Sequence, residues 1–126
     1  MDPKEFDKWV AAYILFESDP DNDRDDHPLF WAVEKFMELI HMDEASEEYF
    51  EAILEVLRRN PGDKVLAVLA AGPLEDLINH HGPQYIDRIE AESKTNPQFR
   101  RLLGGVWEGS TPEIWARVER VRGEPW

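Results

Sequence analysis

The placement of the prolines constrains the fold more than any other feature of the sequence. Proline suits the first position of a helix, because its missing N–H would be unpaired there and its φ is already helical. Seven of the nine prolines stand directly before, or a few residues before, an apolar run with helical spacing. The predicted helix starts are Asp2-Pro3, His27-Pro28, Asn60-Pro61, Gly72-Pro73, Gly82-Pro83, Asn96-Pro97 and Thr111-Pro112.

With one further start near Asp43–Ser46, the apolar pattern predicts about eight short helices. No segment alternates between apolar and polar residues as a half-buried strand would, so we expect no sheet. Short connections favour antiparallel neighbours, which indicates an all-α fold, either a compact bundle or a short array of helices. The predicted helices lie at 3–17, 28–42, 45–59, 62–71, 73–81, 83–95, 97–103 and 111–122.

The same pattern predicts the inward faces of the helices. Gly72 and Gly82 should each end one helix, and the proline after each glycine should begin the next. His81 falls on the apolar side of its helix and is expected to pack near the helix end. The predicted core includes Phe6, Val10, Tyr13 and Ile14 in the first helix, Phe30, Val33, Met37 and Ile40 in the second, and Leu74, Leu77 and Ile78 in the fifth.

Two caps and one turn are predicted near the C-terminus. Thr95 with Gln98 and Ser110 with Glu113 have the spacing of a capping box, in which two side chains satisfy the first N–H groups of a helix. Gly104-Gly105 is expected to form a close-packed turn with a positive φ after the preceding helix.

Composition bounds the class of protein. The chain of 126 residues is 42% hydrophobic and contains five tryptophans, which predicts one folded domain over 1–126. The absence of cysteine excludes disulfides, thiolate metal sites and cysteine nucleophiles. We find neither a leader-like segment nor an apolar run of membrane-spanning length, so we expect a cytoplasmic protein with no membrane partner.

Charge is distributed unevenly along the chain. Residues 1–60 hold 17 acidic and six basic residues, a net charge of -11, whereas residues 61–126 hold ten and eight, a net charge of -2. Such a surface repels nucleic acid, so we expect none as a partner. It favours encounter with a basic protein, although high negative charge also serves solubility alone.

Two acidic segments are candidate partner-binding surfaces. The segment 17–28 alternates aspartates with other residues, as calcium loops do, but the positions of glycine and of the closing glutamate fail that pattern. A solvated loop or a docking surface fits better. On the third helix an all-acid stripe lies opposite the apolar face, which favours a partner or a solvated face about equally. The candidate residues are Asp19, Asp21, Asp23, Asp25 and Asp26 in the segment, and Glu44, Glu48, Glu51 and Glu55 in the stripe.

A third candidate, a possible polar site, lies around the first Gly-Pro pair. Glu75 and Asp76 fall in the first turn of a predicted helix, and Asp76 stands four residues before His80, a spacing that could orient the imidazole. Two or three such residues do not make a metal or catalytic site, so we predict no catalytic residue, no metal and no cofactor. Other motifs of known enzymes are absent.

The segment 69–107, LAAGPLEDLINHHGPQYIDRIEAESKTNPQFRRLLGGVW, resembles a family of small bacterial proteins of unknown function. The resemblance rests on L-A-A-G-P-L-E-D-L, on H-G-P, and on N-P-x-F-R-R-L-L-G-G-V-W. It implies bacterial origin and an all-helical fold, and it brings no activity, cofactor or catalytic residue with it. Among its polar residues, Glu75 and Asp76 are expected to receive Arg100 or Arg101 in a structural salt-bridge network.

These observations favour a small acidic protein-interaction module, of which an immunity- or antitoxin-type inhibitor of a basic protein is one form. One alternative is a small hydrolase or metal-dependent enzyme that uses Glu75, Asp76 and His80. Another is a structural module that self-associates through acidic and basic halves. Trp31 and Trp126 are candidate partner-facing aromatic residues, because Trp31 lies off the apolar face of its helix and Trp126 is terminal. The sequence leaves the partner's identity and the oligomeric state open.

Overall fold

The computed structural model describes residues 1–23 and 26–126. Over these residues the chain is all-helical and contains no strand, as predicted. A 3₁₀ turn, Asp43–Ala45, leads into the third helix, and a π-helical turn, Ala70–Leu74, joins the fourth helix to the fifth. The α-helices are α1 (Pro3–Ser18), α2 (Trp31–Leu39), α3 (Ser46–Arg58), α4 (Asp63–Leu69), α5 (Glu75–Thr95), α6 (Pro97–Leu103) and α7 (Pro112–Val121).

The prediction of about eight separate helices is wrong in number, since the described part of the chain forms six continuous helical segments. No loop interrupts the segment from Asp63 to Thr95, where three helices are predicted. Gly72 does not end a helix: Pro73 lies inside the π-helical turn. Such a turn takes up an extra residue around a proline that has no N–H to donate.

The second Gly-Pro pair bends the helix instead of ending it. Within α5 only His81 departs from helical geometry, with φ -132° and ψ 25°. Pro83 is the cause, because its ring clashes with the preceding turn and removes one hydrogen bond. The prediction that His81 packs inward is confirmed, since it is 6% exposed and its Nδ1 lies 2.8 Å from Oε1 of Gln84.

Three prolines, Pro3, Pro97 and Pro112, occupy the first position of a helix as predicted. The two predicted capping boxes are wrong by one residue. Asn96 caps α6 and accepts two backbone N–H groups at 3.1 and 3.2 Å, and Thr111 caps α7. Because proline takes the first helical position, the cap is the residue directly before it and not Thr95 or Ser110.

The chain divides into two compact units, unit 1 (Met1–Leu66) and unit 2 (Ala67–Trp126). The single domain over 1–126 stays a prediction. Unit 1 carries 18 acidic and seven basic residues, and unit 2 carries nine and seven.

The core of unit 1 is a cluster of aromatic rings. The ring of Phe36 lies 4.6 Å from that of Trp9, 5.0 Å from that of Tyr13 and 5.1 Å from that of Tyr49. The indole N–H of Trp9 donates to the carbonyl of Ala32 at 2.9 Å, which fixes the face that α2 turns toward α1.

This arrangement corrects the predicted inward face of α2. Met37 is 58% exposed and Phe30 is 37% exposed, while Ala32 and Phe36 are buried. The predicted helix begins at 28, three residues too early, and its apolar positions include two that face solvent. The hydrogen bond from Trp9 of α1 to Ala32 selects the face of α2 that packs inward. The spacing of apolar residues within α2 does not reveal this contact.

Unit 2 has a mostly aliphatic core. Helix α5 packs against α6 and α7, and the predicted core residues Leu74, Leu77 and Ile78 are 1% exposed or less. The Gly104-Gly105 turn is close-packed as predicted, but neither glycine has a positive φ. Among the described residues, no helix combines the length and apolar character needed to cross a membrane.

Candidate functional site

The loop between α6 and α7, residues 104–111 and here called the tryptophan loop, is fastened to one face of α5. The side chain of Glu75 accepts the backbone N–H of Trp107 at 3.1 Å, and Oδ1 of Asn79 accepts that of Ser110 at 2.8 Å. Glu75 and Asn79 stand one helical turn apart, so they fall on the same face of the helix. Two points of the loop are therefore held by a rigid element.

Backbone geometry shows how closely the tryptophan loop approaches α5. A Cβ on Gly109 would lie 2.2 Å from Oδ1 of Asn79, and a Cβ on Gly82 would lie 2.8 Å from Oγ of Ser110. Ser110 has φ 61°, a conformation that is unfavourable for a residue with a side chain. Strain of this kind persists only where the surroundings hold the residue, and it is frequent at ligand-binding sites.

The tryptophan loop exposes a large aromatic side chain. Trp107 is 79% exposed, more than any other large hydrophobic residue in the described part of the chain. Because its backbone is held by Glu75, the exposed indole projects from an ordered position. A rigid, exposed tryptophan is typical of binding hot spots.

The last residues of unit 2 hold the other end of this loop. The backbone N–H of Trp126 donates to the carbonyl of Gly104 at 3.0 Å, and its indole N–H donates to the carbonyl of Arg101 at 3.0 Å. A Cβ on Gly105 would lie 2.6 Å from the Trp126 ring. These bonds tie Trp126 to carbonyl groups at the end of α6, of which that of Arg101 also accepts the N–H of Gly104 at 3.0 Å.

The tryptophan loop and α7 line a shallow groove with a volume of about 310 Å³. The two charged residues that line it, Glu108 and Glu119, are both acidic and both exposed. Its apolar wall is formed by Pro112 and Trp115. The remaining lining residues are Gly109, Ser110 and Thr111.

One cation of the chain already lies near this groove. The guanidinium of Arg122 lies 5.5 Å from the centre of the Trp115 ring, and its Nη2 is 3.8 Å from Oε2 of Glu119. The contact to Glu119 is long and Glu119 is about half exposed, so the pair is weak. The arrangement demonstrates that a cationic side chain fits against this indole.

The stronger ion pairs of unit 2 lie on α5 and α7. Arg117 donates to Glu90 at 2.5 and 3.0 Å and to Asp87 at 2.5 Å. The hydrogen bonds to Glu90 and then to Asp87 hold the pKa of Arg117 above its usual range. The hydrogen bond from Arg117 in turn holds the pKa of Glu90 below its usual range.

The acidic segment of unit 1 is partly occupied by its own contacts. Oδ2 of Asp19 lies 2.8 Å from Nε2 of His27, and its Oδ1 accepts the N–H of Asp21 at 2.9 Å. Nδ1 of His27 accepts the backbone N–H of Leu29 at 3.1 Å, so Nε2 carries the proton that is donated to Asp19. This network folds the segment and leaves less of Asp19 for a partner.

The other predicted residues of this segment are dispersed. Asp21, Asp23 and Asp26 are exposed, whereas Asp25 lies outside the described residues.

Glu17, at the start of the same segment, is only 6% exposed. Burial raises the pKa of its carboxyl group, and the nearby Lys64 opposes that shift. The hydroxyl of Tyr13 is buried and has no hydrogen-bond partner among the described residues, and the pKa of Tyr13 is raised first by burial and then by Glu17. The ionised form of Glu17 is therefore less favourable in the folded chain than in water.

The glutamate stripe of α3 is partly neutralised. Glu55 pairs with Arg58 and, at 3.0 Å, with Arg59, while Glu48 accepts from the Met1 amino group at 3.0 Å. The hydrogen bond to Glu55 raises the pKa of Arg59. Glu44 lies in the 3₁₀ turn before α3, and Glu44 and Glu51 are exposed.

Of the three residues of the possible polar site, Glu75 holds the tryptophan loop. Glu75 accepts the N–H of Trp107 and does not pair with Arg100 or Arg101, which form no ion pair among the described residues. Asp76 and His80 are exposed, and neither lines the groove along the tryptophan loop and α7. In the part of the chain that the structure describes, no group of three histidine, aspartate or glutamate side chains could hold a metal ion.

Sequence reasoning did not single out Trp107 as a surface residue. One signal was available. Trp107 stands in GGVWEGS, a glycine-rich stretch between two predicted helices, so it does not belong to the apolar face of a helix. The clamp by Glu75 and Asn79 had no such signal, because it joins residues more than 30 positions apart.

A family model matches residues 19–125. The chain belongs to DUF6869, a family of unknown function. The family resemblance of residues 69–107 is thereby confirmed, and the match extends over most of unit 1 as well. The comparisons with curated proteins and with solved structures gave no match.

Proposed function

We propose that this protein is an interaction module that binds a basic segment of a partner protein through the tryptophan loop and the groove beside it. The observation that carries the proposal is Trp107, which is 79% exposed although its backbone is held by α5. Holding the loop in advance lowers the entropy lost on binding, which benefits a binding surface. An exposed tryptophan on a rigid support is suited to anchor a partner.

The chemistry of the groove supports a basic partner. Glu108 and Glu119 can receive a lysine or arginine side chain. The acidic surface of unit 1 would raise the rate of association with a basic partner without determining which partner binds. An immunity- or antitoxin-type inhibitor of a basic protein is one class with this design.

The test is a binding titration with a short lysine-rich peptide against three variants of the full chain. Trp107→Ala removes the exposed indole, and we expect an affinity loss of about tenfold or more. Glu108→Gln/Glu119→Gln removes two charges from the groove. Asp21→Asn/Asp23→Asn removes the same number of charges from unit 1 and serves as the matched control.

We expect the groove variant to lose clearly more affinity than the control. Equal losses in the two variants would mean that overall negative charge attracts the peptide, and the groove proposal would then be rejected. Failure of the peptide to bind the unaltered chain would reject a basic partner altogether.

Self-association is a second candidate, favoured by Arg100 and Arg101. Both are exposed and unpaired among the described residues, so they could bind the acidic surface of another copy. Sedimentation of the chain at low and high salt tests this candidate. It predicts oligomers at low salt that dissociate as salt rises, and a monomer under both conditions would exclude it. The enzyme alternative gains no support, because Glu75 is used to hold Trp107.

A further inference from the structure

Unit 1 contains a second concave surface, which the proposed function does not use. The cleft has a volume of about 320 Å³ and is lined by Glu5 and Lys8 of α1 and by Trp31 and Lys35 of α2. Glu5 and Lys8 are three residues apart and Trp31 and Lys35 are four apart, so each pair shares one face of its helix. The cleft therefore combines two ammonium groups, one carboxylate and one indole.

Three other cations of unit 1 have polar partners, whereas Lys4, like Lys8 and Lys35, has no ion pair among the described residues. Arg58 and Arg59 pair with Glu55, and Lys64 donates to the carbonyl of Asp19 at 3.3 Å. Lys8 and Lys35 have no carboxylate within ion-pairing distance among the described residues, although unit 1 has 18 acidic residues. Two unpaired ammonium groups in one cleft of an acidic unit are available to an anion.

The position of Lys35 is set by the core beneath it. Its Nζ lies 5.5 Å from the centre of the Trp9 ring, a cation–π distance. Trp9 is fully buried and is held by the hydrogen bond to Ala32. One of the two cations is thus placed by the fold before any ligand arrives.

Trp31 supplies the apolar part of the cleft. Its side chain is half-buried and lines the cleft. An indole at this position can stack on a planar ring, and Glu5 can accept an N–H or O–H group of the same ligand. At physiological salt, exposed charges of unit 1 that lie more than about 8 Å from the cleft are largely screened.

We infer that this cleft binds a small ligand in which an anionic group, a carboxylate or a phosphate, is attached to a planar ring. Lys8 and Lys35 bind the anion and Trp31 stacks on the ring. This site is independent of the tryptophan loop, which lies in unit 2.

The experiment follows the indole N–H signal of Trp31 by NMR while the full chain is titrated with four probes. AMP and indole-3-acetate carry a ring with a phosphate or a carboxylate, adenosine carries a ring alone, and inorganic phosphate is the anion alone. We expect saturable shifts with AMP, indole-3-acetate or both, and much weaker binding of the other two. Binding of AMP but not of adenosine assigns the phosphate, and binding of indole-3-acetate shows that a carboxylate is also accepted. No saturable shift with either would overturn the inference, as would equal binding of adenosine or of phosphate.

Lys8→Gln is the decisive variant, because Lys8 is exposed and its replacement should leave the fold intact. We expect it to weaken binding about tenfold, as the loss of one charge-assisted hydrogen bond does. Lys4→Gln removes the same charge from the same helix outside the cleft and should change the affinity less than twofold. Equal effects of the two variants would overturn the assignment. Lys35→Gln should weaken binding like Lys8→Gln, with its fold checked by circular dichroism.

Discussion

Unit 1 packs four aromatic rings from three helices around one another, whereas unit 2 packs aliphatic side chains and fastens its loops through hydrogen bonds to backbone groups. The rings of unit 1 are large and contact one another directly, so a single residue contributes much of the core. In unit 2 the stability of the loops is divided among several bonds and close approaches. The two units should therefore respond differently to substitution.

The charges of the two units differ as well. Unit 1 buries an acidic side chain, Glu17, in an environment that disfavours its ionised form. Unit 2 keeps Glu90 in contact with Arg117, which favours the ionised form. Two glutamates of the same chain should therefore make opposite contributions to the dependence of stability on pH.

The largest effect is expected in the ring cluster of unit 1. Phe36→Ala should lower the free energy of unfolding by about 3–5 kcal/mol, because it removes the ring that contacts three others and leaves a cavity. Chemical denaturation followed by circular dichroism measures the loss. Met37→Ala, next to it but 58% exposed, should change stability by less than about 0.5 kcal/mol. Similar losses for both variants would contradict the inward face assigned to α2.

The next effect tests the close approaches of unit 2. A Cβ at Gly104 would lie 2.3 Å from the carbonyl oxygen of Glu124, so Gly104→Ala should cost about 1–3 kcal/mol and release the Trp126 side chain. Gly72→Ala is the control, since nothing lies within 4 Å of its added Cβ and alanine favours helix. We expect the two substitutions to have opposite signs in the same denaturation experiment. A stable Gly104→Ala protein would show that the C-terminal residues are not held as described.

A smaller effect distinguishes the two possible caps of α6. Asn96→Ala should lower the free energy of unfolding by about 1 kcal/mol, because two backbone N–H groups lose their acceptor. Thr95→Ala removes only two weak contacts to carbonyl groups, at 3.4 and 3.5 Å, and should have little effect. If thermal denaturation showed a larger loss of stability for Thr95→Ala than for Asn96→Ala, the capping box predicted from the sequence would be correct.

The smallest effect is a pH dependence with opposite signs in the two units. The pKa of Glu17 is raised, so the stability that it contributes is present below its ordinary pKa of 4.5 and is lost as the pH rises through the folded-state value. Glu17→Gln should therefore have a Tm above that of the unaltered chain at neutral pH, and this advantage should vanish near pH 4.

Glu90→Gln in unit 2 is the matched comparison. The pKa of Glu90 is lowered, so its contribution is present above its ordinary pKa and is lost as the pH falls. This variant should be less stable than the unaltered chain at neutral pH and should approach it in acid. If the two variants shift Tm in the same direction at neutral pH, the environments assigned to the two carboxylates are wrong.

Much of the fold could be predicted because it depends on local pattern. Leu77, Ile78 and Phe99 are buried as their helical spacing predicts, and Pro97 and Pro112 begin helices because proline fits the first position. Errors arose where a proline could serve two purposes. Pro73 and Pro83 were predicted to begin helices. Instead, the helix continues through Pro73 as a π-helical turn and through Pro83 with a kink at His81.

The candidate site could be predicted only in part. Glu75 was singled out, but as a partner of an arginine, and its acceptance of the Trp107 N–H could not be foreseen. A carboxylate can accept from any donor that the fold brings near, and the sequence does not state which donor arrives. Trp31 was singled out for its position off the apolar face, whereas its neighbours Lys8 and Lys35 in the cleft were not.

By itself, the sequence determined an all-helical chain, most of the inward-facing residues and the acidity of its first half, because helical spacing, proline geometry and charge are local properties. Only the tertiary structure decided which face of α2 packs against Trp9, and which carboxylates are neutralised by distant arginines. It also decided that Trp107 stays exposed on a loop held by Glu75 and Asn79. These outcomes depend on contacts between residues far apart in the chain, where each side chain has several possible partners and packing selects one.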